Sequence, residues 1–369
     1  MTGLYIHIPF CASRCIYCGF YSTVRPDLQN RYVECLCKEM RMRRNEVDGQ
    51  LATIYLGGGT PSQLSHENLL RLFSCMEECF GKVFSPDMEI TMECNPDDVR
   101  KDLFESLPVN RVSMGVQTFS DTRLKFLHRR HTAKEARQAV DILRELGIGN
   151  ISIDLMFGFP GETIEDWTRD IDEALKLKVE HISAYGLMFE EGTPLYNMLE
   201  RSEVKEADEE TSLKMYDILI DKLVAAGYEH YEISNFARPG FRSRHNSSYW
   251  NNTPYIGLGA AAHSYDISTR SWNVSNLIAY MEAIEKGHRP SESEIIDRNT
   301  HYDDMVMTAL RTSEGLDLAL LDAEHRQFIL NSAATYINKG MLEIKNGRMR
   351  LTRSGIVVSN MIMSDLMDV

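Results

Sequence analysis

Three cysteines near the start of the chain, Cys11, Cys15 and Cys18, stand in the string CASRCIYC with the spacing Cys-x3-Cys-x2-Cys. Thiolates are the usual ligands of iron–sulfur clusters. A four-iron cluster needs four ligands and this string supplies three, so one iron would keep an open position. Open positions mark sites that do chemistry, as the contrast between catalytic and structural zinc shows. Two blander readings compete. The thiols could be buried core groups, because free Cys is among the most buried residue types. They could be half of a zinc site, but such sites pair one Cys-x2-4-Cys with a second Cys or His pair, and none follows.

Composition narrows the setting. The chain has 369 residues, enough for a large domain and a smaller one, and a formal net charge of −14. Nucleic-acid binders usually carry a basic excess or stripe, so nucleic acid and anionic membrane are not expected partners. Small molecules or another protein are. No apolar run approaches the ~18 residues of a membrane helix. The opening MTGLYIHIPF lacks a basic segment and a cleavage pattern. A cytoplasmic protein without disulfides is therefore expected. The other cysteines, Cys35, Cys37, Cys75, Cys79 and Cys94, read as core thiols, although Cys75 and Cys79 share a helix face.

The elements that must hold the cysteine loop alternate. Strands are expected at Leu4–Ile8, Thr53–Leu56, Glu89–Glu93, Arg111–Gly115, Asn150–Met156 and His181–Gly186, with helices between them. Thr132 with Glu135 predicts a capping box, and Thr163 caps the next helix. Strands alternating with helices imply a parallel sheet with right-handed crossovers. Six βα units are too few for a closed eight-stranded barrel, so the expected fold is α/β, a three-quarter TIM-like barrel. Chemistry in such folds gathers at the C-terminal strand ends. Those ends carry the cysteine loop, Gly57–Gly59, Glu93, Gln117 and Asp154. Beyond about residue 190 the alternation fades. Asp208–Ala226 predicts an amphipathic helix, and 228–265 short strands and functional loops. From 301, helical segments lead to an Asn346-Gly347 hairpin and a last helix over Ser354–Leu366. This predicts a small winged-helix-like α+β domain, more acidic than basic and so suited to covering substrate or docking a partner. The expected division is 1–235, 236–300 as a connecting region, and 301–369.

With the barrel, the cysteine string and GGGTP together, the chain resembles the radical S-adenosylmethionine (SAM) superfamily over essentially its whole length. Within it, the resemblance is to the oxygen-independent coproporphyrinogen oxidase-like group, nearest its heme-chaperone branch. The resemblance implies that Cys11, Cys15 and Cys18 hold a [4Fe–4S] cluster whose fourth iron is chelated by SAM. An electron passed to the sulfonium would then give a 5′-deoxyadenosyl radical. It also implies SAM contacts by Tyr5, by Tyr17 beside the adenine, by the Gly57-Gly58-Gly59-Thr60 loop at the methionine amino group, and by Glu93 at the ribose. Gln117, Arg129 and Asp154 match further SAM-site positions. Taken alone, Tyr5 reads as a strand aromatic, Asp154 as a strand-end cap and Arg129 as a surface charge.

Two departures separate the chain from the decarboxylase pattern. Phe20 stands where that pattern has a fourth cysteine, and only ten residues precede Cys11. The string HNSSYW, which follows YEISNFA, resembles a signature associated with heme binding. It implies His245 as axial ligand, with Asn246, Tyr249 and Trp250 around the macrocycle. Taken without the resemblance, His245 and Asn246 read as fastening a loop, and Tyr249 and Trp250 as packing in the core. The expected function is a heme chaperone passing heme to an acceptor protein and served by an electron donor. The alternative is an enzyme that oxidatively decarboxylates coproporphyrinogen III.

Overall fold

The computed structural model describes residues 2–47, 51–81, 84–85 and 87–368. β1 (Thr2–Ile8) runs into the cysteine loop, and α1 (Gln29–Arg43) returns the chain to β2 (Leu51–Gly58). α2 (His66–Phe80) leads to β3 (Glu89–Cys94), and α3 (Lys101–Phe104) to β4 (Arg111–Gln117). α4 (Asp121–Phe126) and α5 (Ala133–Glu145) precede β5 (Asn150–Phe157), and α6 (Ile164–Leu177) precedes β6 (His181–Gly186). Reciprocal capping boxes start α5 at Thr132–Glu135 and α6 at Thr163–Asp166. The six strands pair in parallel in chain order. The barrel stays open, because β1 and β6 do not meet.

The strand faces explain what the barrel can hold. In each strand one set of alternate residues is apolar and buried beneath the helices: Leu4, Ile6 and Ile8, or Val112, Met114 and Val116, or Ile151, Ile153 and Leu155. Each such side chain stabilises the fold by about 1.5–3 kcal/mol. The other set lines the lumen and is polar: Tyr5 and His7, Thr53 and Tyr55, Glu89 and Glu93, Arg111 and Ser113, Ser152 and Asp154, His181 and Ser183. An eight-stranded barrel fills its centre with bulky aliphatic layers. This one leaves a lumen lined for hydrogen bonding.

After β6 come α7 (Pro194–Glu200), α8 (Glu209–Ala225), β7 (Glu229–Glu232), β8 (Asn235–Ala237) and α9 (Arg244–Trp250). Then follow β9 (Tyr255–Leu258), β10 (His263–Tyr265), β11 (Thr269–Asn273), α10 (Leu277–Glu285) and β12 (Ser291–Ile295). The region 236–300 is not a separate connector, contrary to the sequence expectation. β8 pairs with β6, and β9 pairs in parallel with β1. The result is one twelve-stranded sheet in the order β12-β11-β10-β9-β1-β2-β3-β4-β5-β6-β8-β7. Ile256, Leu258, Tyr280 and Met281 belong to the barrel's own core.

The C-terminal part has a second core around Tyr302, Val306, Ile329, Met349 and Ile362. It comprises α11 (Arg298–Ala309), β13 (Leu316–Asp317), α12 (Ala323–Asn338), β14 (Leu342–Lys345) and β15 (Arg348–Leu351), then α13 (Arg353–Ile356) and α14 (Ser359–Asp365). Asn346 and Gly347 take φ of 54° and 76°, the two left-handed positions of a tight hairpin turn. The single last helix expected from the sequence is two helices. The break falls at the consecutive β-branched residues Val357 and Val358, which are poor helix formers.

Candidate cofactor site

The cysteine loop leaves the C-terminal end of β1, here the upper mouth of the barrel. It is pinned at both sides. Cys11 N–H donates to the Thr23 carbonyl at 2.9 Å, and Thr23 N–H returns to Pro9 at 2.7 Å. Cys11, Cys15 and Cys18 are all partly exposed. Burial raises the Cys11 and Cys18 thiols. The Thr60 hydroxyl lies 3.5 Å from the Cys11 sulfur. Arg129 reaches the Cys15 sulfur at 3.5 Å and also holds Asn95 Oδ1 at 2.8 Å and the Gly115 carbonyl. A guanidinium beside the loop offsets the charge that thiolates and a cluster would bring. Three partly open thiols in one pinned loop, with a cation at hand, fit a [4Fe–4S] cluster in donor chemistry. No three described His, Cys, Asp or Glu side chains converge on a single-ion site. Tyr17 packs beside the small apolar cluster of Ile16, Leu127 and Phe159.

The glycine loop that ends β2 is clasped to the same loop. Gly59 N–H donates to Ile8 and Thr60 N–H to Phe10, each at 2.8 Å. Close approach is what requires glycine here. A Cβ on Gly57 would sit 2.7 Å from the Tyr55 ring and 2.9 Å from Glu93, and one on Gly59 would sit 2.7 Å from the Pro9 backbone. Gly58 also has φ 112°. Glu93 accepts from the Tyr55 hydroxyl at 2.7 Å and from Gly58 N–H at 3.0 Å. Burial pushes its carboxyl up to about 7.

A bulge between Gly115 and Gln117 re-aims the end of β4, where Gln117 has φ 67°. Asp154 pairs in register with Gly115 and Ser183, and burial lifts its carboxyl to about 6. Arg111, which the motif reading did not single out, is fully buried in the lumen. Its Nε and one terminal nitrogen have no hydrogen-bond partner. Its charge draws both Glu93 and Asp154 downward, against their burial. Tyr5 sits midway down the barrel, donating to or accepting from His7 Nδ1 at 3.0 Å and stacked on Tyr55 with centroids 6.2 Å apart.

The HNSSYW segment lies elsewhere. It forms α9, which closes the opposite, lower mouth. Its N-terminal amides, from Arg244 and His245, both donate to Glu89 at 2.9 Å at the start of β3. His245 is 0% exposed. Its Nδ1 bonds the Thr53 hydroxyl at 2.8 Å and its Nε2 the Tyr249 hydroxyl at 2.9 Å. The ring stacks on Tyr55 at 5.0 Å. Burial depresses its pKa to about 3, so the ring stays neutral. Asn246 is anchored through its amide to the Ser243 cap at 3.3 Å. Trp250 lies under the Arg311 guanidinium, 5.1 Å away, and its indole N–H is buried without a partner. The expectation of His245 as an axial ligand meets a closed site in this conformation. Both ring nitrogens are already used, and no face of the ring meets solvent.

Comparison with known proteins places this arrangement. The Radical SAM superfamily model matches residues 5–174, and the HemN C-terminal domain model matches 296–358. A Bacillus subtilis protein named heme chaperone HemW is 34% identical over 98% of this chain and 97% of its own. Its Lactococcus lactis counterpart is 33% identical over 97% and 95%. The chain belongs to the HemW group of the radical SAM superfamily. The coproporphyrinogen III oxidase HemN of Escherichia coli superposes with a TM-score of 0.85 over 100% of this chain and 90% of that one. At 22% identity that likeness speaks to the fold alone. For a radical SAM chain, the upper mouth gathers Cys11, Cys15, Cys18, Tyr17, Gly57–Gly59, Thr60, Glu93, Gln117, Arg129 and Asp154. Arg111 and His181 are among the lumen residues that motif reading missed. His181 mirrors His245, fully buried between Ser152 at 2.8 Å and Tyr231 at 2.7 Å. Their signal was there as the polar half of each strand's alternation.

Proposed function

We propose that the chain binds heme and hands it to an acceptor protein, while keeping a SAM-coordinated [4Fe–4S] cluster. The observation that carries this reading is the alignment with proteins named heme chaperones over nearly the full length of both partners. Phe20 supports it. It follows Cys18 by two positions, is 73% exposed, and carries no ligand atom where a decarboxylase has a cysteine. Cys11, Cys15 and Cys18 hold the cluster, and Arg129 balances its charge. The Gly57–Thr60 loop, Tyr5, Tyr17, Glu93, Gln117 and Asp154 receive SAM, Glu93 accepting from the ribose hydroxyls. When bound, the pair supplies one-electron chemistry, for which an electron donor is required. An oxygen-sensitive group of this kind suits a reducing, cytoplasmic setting.

Heme ligation by His245 would use one ring nitrogen: iron at Nε2 would replace the Tyr249 hydroxyl, and opening the lower mouth to admit heme would break the bond between Nδ1 and Thr53. Losing two such hydrogen bonds costs about 0.5–1.5 kcal/mol each, which iron coordination must exceed. No helix among the described residues is long and apolar enough to cross a membrane.

An anaerobic heme titration of the cluster-loaded protein, followed at the Soret band, tests the reading. One heme per chain is expected, with affinity lost in His245→Ala and raised in Tyr249→Phe, which frees Nε2 without removing the ring. Equal affinity in all three would remove His245 from the heme site. Sustained protoporphyrinogen formation from coproporphyrinogen III, with SAM and reductant, would overturn the carrier reading in favour of the decarboxylase.

A further inference from the structure

β2 joins the two mouths through successive positions of its lumen face. Thr53, Tyr55 and Gly57 alternate along the strand, so all three lie on that face. The Thr53 hydroxyl bonds Nδ1 of His245 at 2.8 Å. The buried Tyr55 ring stacks on the His245 ring, with centroids 5.0 Å apart and planes 26° from parallel. The Tyr55 hydroxyl donates to Glu93 at 2.7 Å, and its ring edge lies so close to Gly57 that no Cβ fits there. Tyr5, paired in register with Tyr55, stacks on both rings, 6.2 Å from Tyr55 and 6.5 Å from His245. One side chain therefore touches the glycine loop, the carboxylate of the upper mouth and the histidine of the lower. Four residues of strand span only about 13 Å, so the two mouths are close.

We propose that Tyr55, clamped by His245, is a positioning residue for SAM, and that heme and SAM therefore weaken each other's binding to this chain. The inference rests on reading Glu93 as the ribose acceptor and His245 as the heme ligand. Two ligands couple only through an element whose states they bind differently. Here that element is α9. With α9 seated, the Tyr55 ring is held between His245, Tyr5 and Gly57, and its hydroxyl fixes the Glu93 carboxylate in place. That bond also favours the ionised form of Glu93 against its burial. With His245 drawn onto iron, one face of the Tyr55 ring loses its neighbour. A close-packed interior closes such gaps, so the ring tilts and its bond to Glu93 weakens. The SAM site then lacks a fixed acceptor, while its cysteines are untouched. In the other direction, SAM holds Glu93 and Tyr55 in place and with them the closed seat of α9. Heme loading thus loosens SAM, and bound SAM keeps the lower mouth shut.

The test is anaerobic isothermal titration of SAM into the cluster-loaded protein, without heme and with one heme per chain. Heme should weaken SAM binding by about fivefold or more, and SAM should weaken heme binding by the same factor, as linkage requires. In Tyr55→Phe, which keeps the ring and drops the hydroxyl, both factors should fall to about one. A heme-free comparison tests the clamp by itself. His245→Ala should weaken SAM binding by about fivefold, and His245→Phe, which restores a ring against Tyr55, should recover most of that loss. Should His245→Ala fail to fold, the coupling factors of Tyr55→Phe carry the test. A wild type whose SAM affinity ignores heme would overturn the proposal. So would full coupling in Tyr55→Phe, or a folded His245→Ala that binds SAM like the wild type. A chain that takes no heme would sink the heme reading beneath the proposal, and the two His245 variants would still decide the clamp. A heme-free wild type that binds no SAM would sink the reading of the SAM site and the proposal with it.

Discussion

The two mouths of the barrel each present residues of metal-ligand type, and they present them in opposite states. At the upper mouth three thiols stand partly open on a loop pinned by backbone bonds, touched at long range by the Thr60 hydroxyl and Arg129. At the lower mouth His245 and His181 are fully buried, and each has both ring nitrogens occupied by hydroxyls. The contrast teaches that ligand chemistry in a sequence motif does not tell whether the donor is free. The upper donors are open to a ligand; the lower ones, in this conformation, hold the fold.

Substitutions at the two ends should therefore separate function from stability. The largest effect is expected at the upper mouth. Cys15→Ala should abolish assembly of a stable cluster, read as loss of the 400 nm absorbance after anaerobic reconstitution, while the melting temperature of the cluster-free chain hardly moves. His245→Ala should do the reverse. It strands the Thr53 and Tyr249 hydroxyls and opens a cavity, so thermal unfolding of the cluster-free chain should show a loss of about 3–5 kcal/mol. A Cys15→Ala variant as destabilised as His245→Ala would erase the distinction between the two ends.

The lumen between them gives a finer test. Glu93 is pushed to about 7 by burial. Its ionised form is the better acceptor for a diol, so SAM affinity should rise as pH passes upward through about 7 and level off above. Arg111→Met removes the buried cation that favours the ionised forms of Glu93 and Asp154. The midpoint of that rise should move upward by about one pH unit, measured by isothermal titration of SAM across pH 6–8.5. An unmoved midpoint would detach Arg111 from the SAM site. The smallest effect is expected at Arg311, which lies over Trp250 and pairs with the buried Glu232 at 2.9 Å. Arg311→Lys, which keeps a charge beside Glu232 but gives up the planar guanidinium over Trp250, should loosen α9 slightly, raising local hydrogen exchange with little change in global stability.

How much of this was readable from sequence follows from locality. The cysteine string and GGGT are contiguous and sit where strands end, so their spacing carries their geometry. The six strands, the Thr132–Glu135 capping box and the Thr163 cap were readable for the same reason. Arg111 and His181 were not singled out, because each lies at a strand's beginning and acts across the lumen on residues far away in sequence. The seat of α9 was unreadable too, since it depends on Glu89 and Thr53, more than 150 positions earlier. β12 escaped notice because all five of its residues are exposed, leaving no apolar alternation. α7 is a single short helix of seven residues with Pro194 at its start, too brief for a periodic signal.

The most direct test of the contrast is hydrogen exchange across residues 244–250, compared between the heme-free protein and the protein loaded with one heme per chain. The account predicts protected α9 amides without heme and lost protection with it, while the six barrel strands keep theirs. Unchanged protection of α9 in the heme-loaded protein would contradict it, leaving the lower mouth closed and His245 a residue of the fold alone.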